Sequence, residues 1–135
     1  MTLFSSINIS GTGGDAMQTW IDTAGGNIAN ANDVVATNAP AYATETPVFT
    51  PVGGTLPGAP GAGVSTSVAL GSTAGVIVSE PGNPLANAQG EVKVPSVSLG
   101  DQLVGLIQAQ EGYQANTVAI THAVAAYQSG LAIGS

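Results

Sequence analysis

The sequence has almost no positive charge. Lys93 is the only basic residue against eight acidic ones, which gives a net charge of −7. Lysine and arginine neutralise the phosphates that supply most non-specific affinity for nucleic acids, so this composition argues against a nucleic-acid partner. Charged residues make up only 7% of the chain, compared with roughly 25% in ordinary soluble proteins. Much of the surface must therefore be uncharged.

Cysteine and long apolar runs are absent as well. Without cysteine the chain forms neither disulfides nor thiolate metal sites. Mean hydropathy is +0.31, yet no run of about 18 consecutive apolar residues predicts a membrane-spanning helix. The first ten residues, MTLFSSINIS, carry neither a positive segment nor a continuous apolar core, so we expect no cleaved secretory signal. The apolar excess must be buried by folding or by partners.

Groups that could support catalysis are scarce. His122 is the only histidine, and no Gly-x-Ser-x-Gly motif accompanies it. The carboxylates are scattered singly along the chain, and no Lys-Ser/Thr follows the glycines near residue 12 as a phosphate-binding loop requires. We therefore predict no catalytic residue, no metal site, no cofactor and no small-molecule substrate.

Both ends of the chain have apolar residues at alternating spacings of three and four. This spacing predicts an amphipathic helix with a narrow apolar stripe at each end, here called the N-terminal and C-terminal seams. Narrow seams are typical of helices that pair with other helices, so we predict that they form subunit interfaces. The predicted interface residues are Ile7, Met17, Ile21, Ala24, Ile28, Ala31, Leu103, Leu106, Tyr113, Ile120, Val124, Tyr127 and Leu131.

A strip of small residues runs beside the C-terminal seam and would let a neighbouring backbone come close. It consists of Ala109, Gly112, Ala119, Ala123, Ala126 and Gly130. In the N-terminal segment, Gly11, Gly13 and Gly14 each cost a helix about 1 kcal/mol relative to alanine. Two interpretations stay open for that turn. Packing against neighbours holds it helical, or it is a loop and the helix begins near Asp15.

The middle of the chain, residues 34–97, predicts strands and turns, because it holds all eight prolines and short alternating apolar runs. Short strands are predicted at 64–70, 76–78 and 92–94, with a possible fourth at 48–49. The stretch 51–63, PVGGTLPGAPGAG, predicts an exposed loop. The predicted fold is α+β: long N- and C-terminal helices (1–33 and 98–135) packed as a coiled-coil-like pair, with a small β-rich domain (34–97) inserted between them.

Three asparagines, Asn27, Asn30 and Asn32, lie near the expected end of the first helix. We expect their amides to donate to the last helical carbonyls, with an asparagine in the left-handed conformation turning the chain outward. Asn116 is expected to make a polar contact between the packed helices. The alternative is that Asn27 and Asn116 face solvent.

These asparagines belong to stretches that resemble a known family. Residues 24–33, AGGNIANAND, resemble the Asn-Asn-Leu-Ala-Asn-Ala-Asn/Asp stretch of flagellar axial proteins. GYQAN, which contains Tyr113, Gln114 and Asn116, resembles the Tyr-Gln-Ala-Asn stretch of their C-terminal helix. Residues 79–99 resemble the Glu-Pro-Gly-x-Pro-x-Ala-x-x-x-Gly-x-Val-x-x-Pro-x-Val segment of basal-body rod proteins. The residues that carry this match include Glu80, Pro81, Gly82, Pro84 and Gly90.

The resemblance implies a proximal-rod subunit of the bacterial flagellum. It implies long terminal helices forming an inner tube, partners among copies of itself, other rod proteins and MS-ring/rod adaptor proteins, and export to the periplasm through the flagellar type III apparatus without a cleaved signal peptide. The chain departs from the family at Gly13, Gly14 and Asp15, where alanines and leucine are usual, and in its lack of basic residues. Two alternatives remain: another rod or hook subunit, or a self-contained binding module whose helices pack only on each other.

Residues 80–90, EPGNPLANAQG, predict a rigid projection. Pro81, Gly82 and Pro84 favour a fixed turn, and Gly90 can adopt a positive φ. We expect this segment to contact neighbouring subunits and Lys93 to pair with an acidic side chain on one of them. The alternative is a solvent-exposed turn without contacts.

Overall fold

The computed structural model describes residues 3–53 and 61–133. Two long helices frame a short run of strands, which confirms the predicted α+β class. The elements in chain order are α1 (Leu3–Asn30), β1 (Glu45–Gly53), β2 (Gly61–Leu70), β3 (Val76–Ser79), β4 (Glu91–Val94) and α2 (Leu99–Ile133). In the described part of the chain, neither helix combines the length and apolar character that crossing a membrane requires.

The two helices pack against each other in antiparallel orientation. Near the start of α1 the Phe4 ring meets the Tyr127 ring at 5.7 Å, whereas near its end the Asn27 amide bonds Gln102 at 2.9 Å. Rising numbers along α1 thus meet falling numbers along α2. At 1.5 Å per residue, α1 and α2 are roughly 42 and 52 Å long.

The glycine-rich turn is helical, so the alternative of a loop before Asp15 is wrong. Tertiary contacts explain why low intrinsic propensity does not break the helix here. The Thr12 hydroxyl donates to the Ile9 carbonyl at 2.9 Å and accepts the Val64 N–H at 3.2 Å. A Cβ on Gly13 would lie 2.5 Å from Asn116 Oδ1, so glycine gives Asn116 the room it occupies. Packing therefore compensates for the unfavourable propensity.

The strands form two separate antiparallel ribbons, β1 with β2 and β3 with β4. All four include the predicted strand segments, and the first ribbon is longer than expected. β1 reaches Gly53 and β2 begins at Gly61, so the predicted loop is wrong for 51–53 and 61–63, while 54–60 lies outside the described residues. Gly53 and Gly63 have φ of 77° and 118°, which glycine tolerates, and the ladder shifts register between Val52 and Gly53.

The second ribbon is tied to the segment that follows α1. Val35 and Lys93 exchange two backbone hydrogen bonds of 2.9 Å each. The Lys93 ammonium donates to the Ala39 carbonyl at 2.8 Å. Its pairing with an acidic side chain of a neighbour stays a prediction, because the contact seen here is within the chain.

The buried core is small. Among the described residues, the buried apolar side chains are Ala16, Ala24, Ala41, Val92, Pro95, Ala109 and Ala123. Only Val92 and Pro95 are larger than alanine, so burial inside this chain removes little apolar area from water. The larger apolar side chains lie mainly at or near the surface, which bears directly on the functional site.

Candidate assembly surface

Asn27 joins three elements near the end of α1. Its side chain is 1% exposed, so the alternative that it faces solvent is wrong. Its amide nitrogen donates to the Glu45 carbonyl at 2.7 Å and to Gln102 Oε1 at 2.9 Å. Its amide oxygen accepts the Glu45 N–H at 2.8 Å and the Tyr42 hydroxyl at 3.1 Å. Asn27 thus fixes β1 and the start of α2 onto α1, rather than capping α1 as predicted.

The Tyr42 hydroxyl beside Asn27 is electrostatically perturbed. Partial burial raises the pKa of Tyr42 above its ordinary value, and the negative charge of Glu45 raises it further, while the side chain of Asn30 opposes the shift. The phenol is therefore held in its neutral form. It remains a hydrogen-bond donor to Asn27.

Asn30 bonds within α1. Its amide donates at 2.8 Å to the Gly26 carbonyl, which precedes the last four carbonyls of the helix, so the predicted capping by Asn30 is wrong. Asn32 is exposed in the following turn. No described non-glycine residue has positive φ, so the expectation that an asparagine turns the chain in the left-handed conformation is wrong.

The contact between the helices uses small residues where large ones approach. A Cβ on Gly105 would lie 3.2 Å from Trp20 Nε1, and one on Gly112 would lie 2.6 Å from Met17 Sδ. Ala109 and Ala123 are buried on the same stripe of α2. Ala109, Gly112 and Ala123 of the predicted small-residue strip admit α1, and Gly105, which was not predicted, does the same. Ala119, Ala126 and Gly130 of the strip remain exposed.

Most of the N-terminal seam is not fully buried in the contact between α1 and α2. The residues of α1 buried against the rest of the chain are Ala16, Thr23, Ala24 and Asn27, and only Ala24 belongs to the predicted seam. The other members, Ile7, Met17, Ile21, Ile28 and Ala31, are half-buried. Their role in contacts between subunits stays a prediction.

The C-terminal seam is mostly open. Leu106 and Ile120 are half-buried, whereas Leu103, Tyr113, Val124, Tyr127 and Leu131 are exposed. Val104, Ile107, Val118 and Ile133 add further exposed apolar area to α2. We call this set of residues the open α2 face. These side chains lie around most of the circumference of α2 that does not contact α1. So many exposed apolar side chains on one helix indicate an interaction surface.

The open α2 face is also free of charge over much of its length. Glu111 is the last acidic residue, and the 24 residues that follow contain no Asp, Glu, Lys or Arg. His122 lies exposed on this half of the helix. A charge-free apolar helix is suited to burial against another helix rather than to solvation.

Asn116 packs against α1, but among the described residues its amide bonds only within α2, so the predicted polar contact between the helices is not seen. Its side chain lies beside Gly13 and its amide donates to the Gly112 carbonyl at 2.9 Å. The alternative that it faces solvent is wrong, because the side chain is half-buried at the helix contact. Gln114, the neighbouring motif residue, is exposed.

Residues 80–90 form an ordered turn. Asn83 Oδ1 accepts the Leu85 N–H and Asn87 Oδ1 accepts the Gln89 N–H, both at 2.9 Å, which are two Asx turns. Gly90 has a φ of 75°, and a Cβ there would lie 3.1 Å from the Pro81 ring. Glu80, Gly82, Pro84 and the apolar Leu85 are exposed on this turn.

An open groove of about 340 Å³ lies where α1, β1 and α2 meet. Its lining includes Trp20, Glu45 and Asp101. Within residues 3–53 and 61–133, no three side chains of the His, Cys, Asp or Glu types are grouped to hold a metal ion. The lack of metal, cofactor and catalytic chemistry stays a prediction from the sequence.

Sequence reasoning missed several residues at the junction: Trp20, Thr23, Tyr42 and Gln102. Trp20 is the only tryptophan, which was a usable signal, and its ring lies 6.0 Å from that of Phe49. Tyr42 and Gln102 gave no local signal, because their partner Asn27 is distant in sequence.

Curated relatives resemble the chain over most of its length. It is 35% identical over 117 residues to the flagellar basal-body rod protein FlgC of Escherichia coli O6:H1, covering 86% of each chain. It is 34% identical over 117 residues to FlgC of Salmonella typhimurium, again covering 86% of each. FlgC of Borreliella burgdorferi is 28% identical over 149 aligned positions, with 98% of each chain covered. No protein-family model matches the chain. Identity above 30% over this share of the sequence shows that the chain belongs to the FlgC family of flagellar basal-body rod proteins.

Proposed function

We propose that this chain is a non-enzymatic structural subunit of the proximal rod of the bacterial flagellum. In this proposal the terminal helices form the wall of a tube that transmits torque and encloses the export channel, with the β-rich part outside. The neighbours are copies of the chain, other rod proteins and the adaptor proteins that join the rod to the MS ring. The chain reaches the periplasm through the type III export apparatus without a cleaved signal peptide.

The observation that carries the proposal is the open α2 face. A self-contained module would bury its apolar helix faces inside the chain, whereas the buried apolar side chains of the described residues are five alanines, one valine and one proline. Leu131 is 58% exposed. Neighbouring subunits would remove this area from water at roughly 25 cal/mol for each Å² buried.

A test uses Leu131→Asp as the only copy of the chain in its bacterium. Burying an unpaired carboxylate in a helix contact costs several kcal/mol, so we expect the variant to be exported but absent from isolated basal bodies, and the cells to be non-motile. Because Leu131 is exposed in the single subunit, the variant should fold as the wild type does.

Two control variants separate charge from other effects. Leu131→Met keeps an apolar side chain of similar volume, and we expect normal rods. His122→Ala should also swim, since no proton transfer is assigned to that residue. Normal basal bodies from Leu131→Asp cells would contradict the proposed role of the α2 face. Absence of the wild-type chain from basal bodies would contradict the proposed function itself.

A further inference from the structure

The prolines of β1 show which backbone groups of its partner β2 point away from the first ribbon. In an antiparallel pair, the N–H and C=O of one residue point to the same side, and the side alternates along the strand. Pro51 lies opposite Val64 and Pro47 opposite Val68. Because proline has no N–H to give, both are non-hydrogen-bonded pairs. The backbone groups of Val64 and Val68 therefore point away from β1.

Hydrogen bonds to α1 agree with this assignment and cover only part of the edge. The outward Val64 N–H donates to Thr12 Oγ1. Ala62 lies two residues earlier in β2, so its carbonyl is on the same side, and it accepts a hydrogen bond from the Asn8 amide at 3.5 Å. Farther along, the outward groups of Thr66 and Val68 meet no hydrogen-bond partner in the described part of the chain. We call residues 66–70 the open β2 edge.

The second ribbon has an open edge as well. Lys93 exchanges both of its backbone hydrogen bonds with Val35, so these groups point away from β3. Ile77 lies opposite Lys93, and its own backbone groups consequently point outward, away from β4. Ser79 lies two residues after Ile77 in β3, so its backbone groups point outward as well. No hydrogen bond from residues 3–53 or 61–133 reaches the outward groups of Ile77 and Ser79, which leaves this side of β3 open for pairing.

The open edges differ from the outer edge of β1. Pro47 and Pro51 stand on the β1 edge and prevent strand addition there. The open β2 edge and β3 contain neither proline nor charge. Val68, Leu70, Val76 and Ile77 on these edges are exposed apolar residues. Natural proteins usually protect such edges, so two unprotected edges in one small chain require an explanation.

The charge of the chain indicates that a second copy of the same chain covers these open strand edges. The chain carries −7 and its only cation donates to the Ala39 carbonyl, so a second copy has almost no positive charge to offer an acidic surface. Copies meet without like-charge repulsion where acidic residues are missing. The open β2 edge and β3 meet this condition, and they are of similar length.

We propose that β3 of one copy adds as a strand to the open β2 edge of the next copy. Two different edges join in this contact, so it repeats head to tail and produces an open series of subunits rather than a closed dimer. The inference rests on the proposed function as a rod subunit and names one of the contacts between copies.

Cysteine crosslinking tests this contact, because the natural chain has no cysteine. Ser67→Cys on β2 and Ser79→Cys on β3 both replace exposed serines. The two single variants are co-expressed as the only copies, and isolated basal bodies are treated with a short bis-maleimide. We expect a crosslinked dimer when both variants are present and only monomer when either is present alone.

Each other result overturns the inference in a distinct way. Monomer from co-expressing cells whose basal bodies contain both variants would exclude the contact. A dimer from Ser67→Cys alone would indicate two β2 edges meeting around a two-fold axis, and a crosslink to a different protein would exclude a second copy as occupant. Wild-type chain missing from basal bodies would contradict the proposed function and, with it, this inference.

Backbone chemistry provides an independent check. Val68→Pro removes an outward N–H while leaving the β1–β2 ladder intact, whereas Val68→Ala removes side-chain atoms and keeps that N–H. In the crosslinking background, we expect Val68→Pro to lower the dimer yield about tenfold and Val68→Ala much less, because a lost hydrogen bond and a blocked edge together exceed about 1.4 kcal/mol. Equal yields from both variants, with folding verified by circular dichroism, would contradict strand addition.

Discussion

At the scale of single residues, Asn27 uses an amide where an apolar side chain would fail. The first backbone groups of β1 point toward α1 and need partners, since an unpaired buried N–H or C=O costs about 1–3 kcal/mol. Asn27 supplies a donor and an acceptor to Glu45 together and still bonds Gln102 and Tyr42. One side chain thereby aligns a helix, a strand and a second helix.

We predict that Asn27→Ala lowers the free energy of unfolding by about 3 kcal/mol, because it leaves the Glu45 backbone groups without partners in a buried position. Asn32→Ala is the control, since Asn32 is exposed, and it should change stability by less than about 0.5 kcal/mol. Urea unfolding followed by circular dichroism measures both. Equal stability of the two variants would show that the junction does not depend on the amide.

At the scale of elements, the glycines of α1 separate local propensity from packing. Gly11 and Gly13 are two residues apart in one helix, but a Cβ on Gly11 would meet nothing within 4 Å, whereas one on Gly13 would press on Asn116. Asn116 cannot retreat freely, since its amide is bonded to the Gly112 carbonyl. Gly11 and Gly13 thus have the same helix propensity and differ only in the atoms around them.

We predict that Gly11→Ala stabilises the protein by about 1 kcal/mol, as alanine is the better helix former. Gly13→Ala should lose that gain and be less stable than Gly11→Ala by at least about 1 kcal/mol, because of the clash. The double variant Gly13→Ala/Asn116→Ala should recover part of the difference. Thermal unfolding of the wild type, both single variants and the double variant measures these differences. An equal gain in stability from both single variants would mean that Asn116 moves aside without loss of stability.

The ordered turn at residues 80–90 allows a prediction about incorporation into the rod. Replacing it with a Gly-Ser linker of equal length removes both Asx turns and the exposed Leu85. We expect this protein to be exported but absent from basal bodies. Leu85→Ser keeps the turn and removes only its apolar tip, so it distinguishes a requirement for shape from one for apolar contact. Working flagella built from the linker variant would show that the segment is only a solvent-exposed turn.

At the scale of the whole molecule, the sequence predicted the elements better than their contacts. Apolar spacing predicted both helices, and alternation predicted the strands, because these patterns act locally. Proline and glycine at 51–53 suggested a loop, but Pro47 and Pro51 are tolerated on the outer side of a two-stranded ribbon. The contacts of Asn27 with Glu45 and Gln102 depend on chain segments far apart in sequence, so no local pattern could predict them.

The same imbalance between helix length and core size leads to a prediction for the isolated subunit. Helices of 28 and 35 residues are held together mainly by alanine, glycine and a few larger side chains. Most helical stability in proteins comes from packing of an apolar face, and here much of that face is open. We therefore expect amides at 15–30 and 103–130, except those near Asn27, to exchange faster in a verified monomer than in isolated basal bodies.

Amide exchange followed by mass spectrometry, with the monomeric state checked by sedimentation, measures this difference. Asn27→Ala provides the matched control, because it should remove the local protection near the junction and leave the rest of the exchange pattern unchanged. Strong protection throughout both helices of the monomer would mean that the chain satisfies its own seams. That result would favour a self-contained module over a subunit whose helices are completed by its neighbours, since only the latter needs assembly to bury the open α2 face.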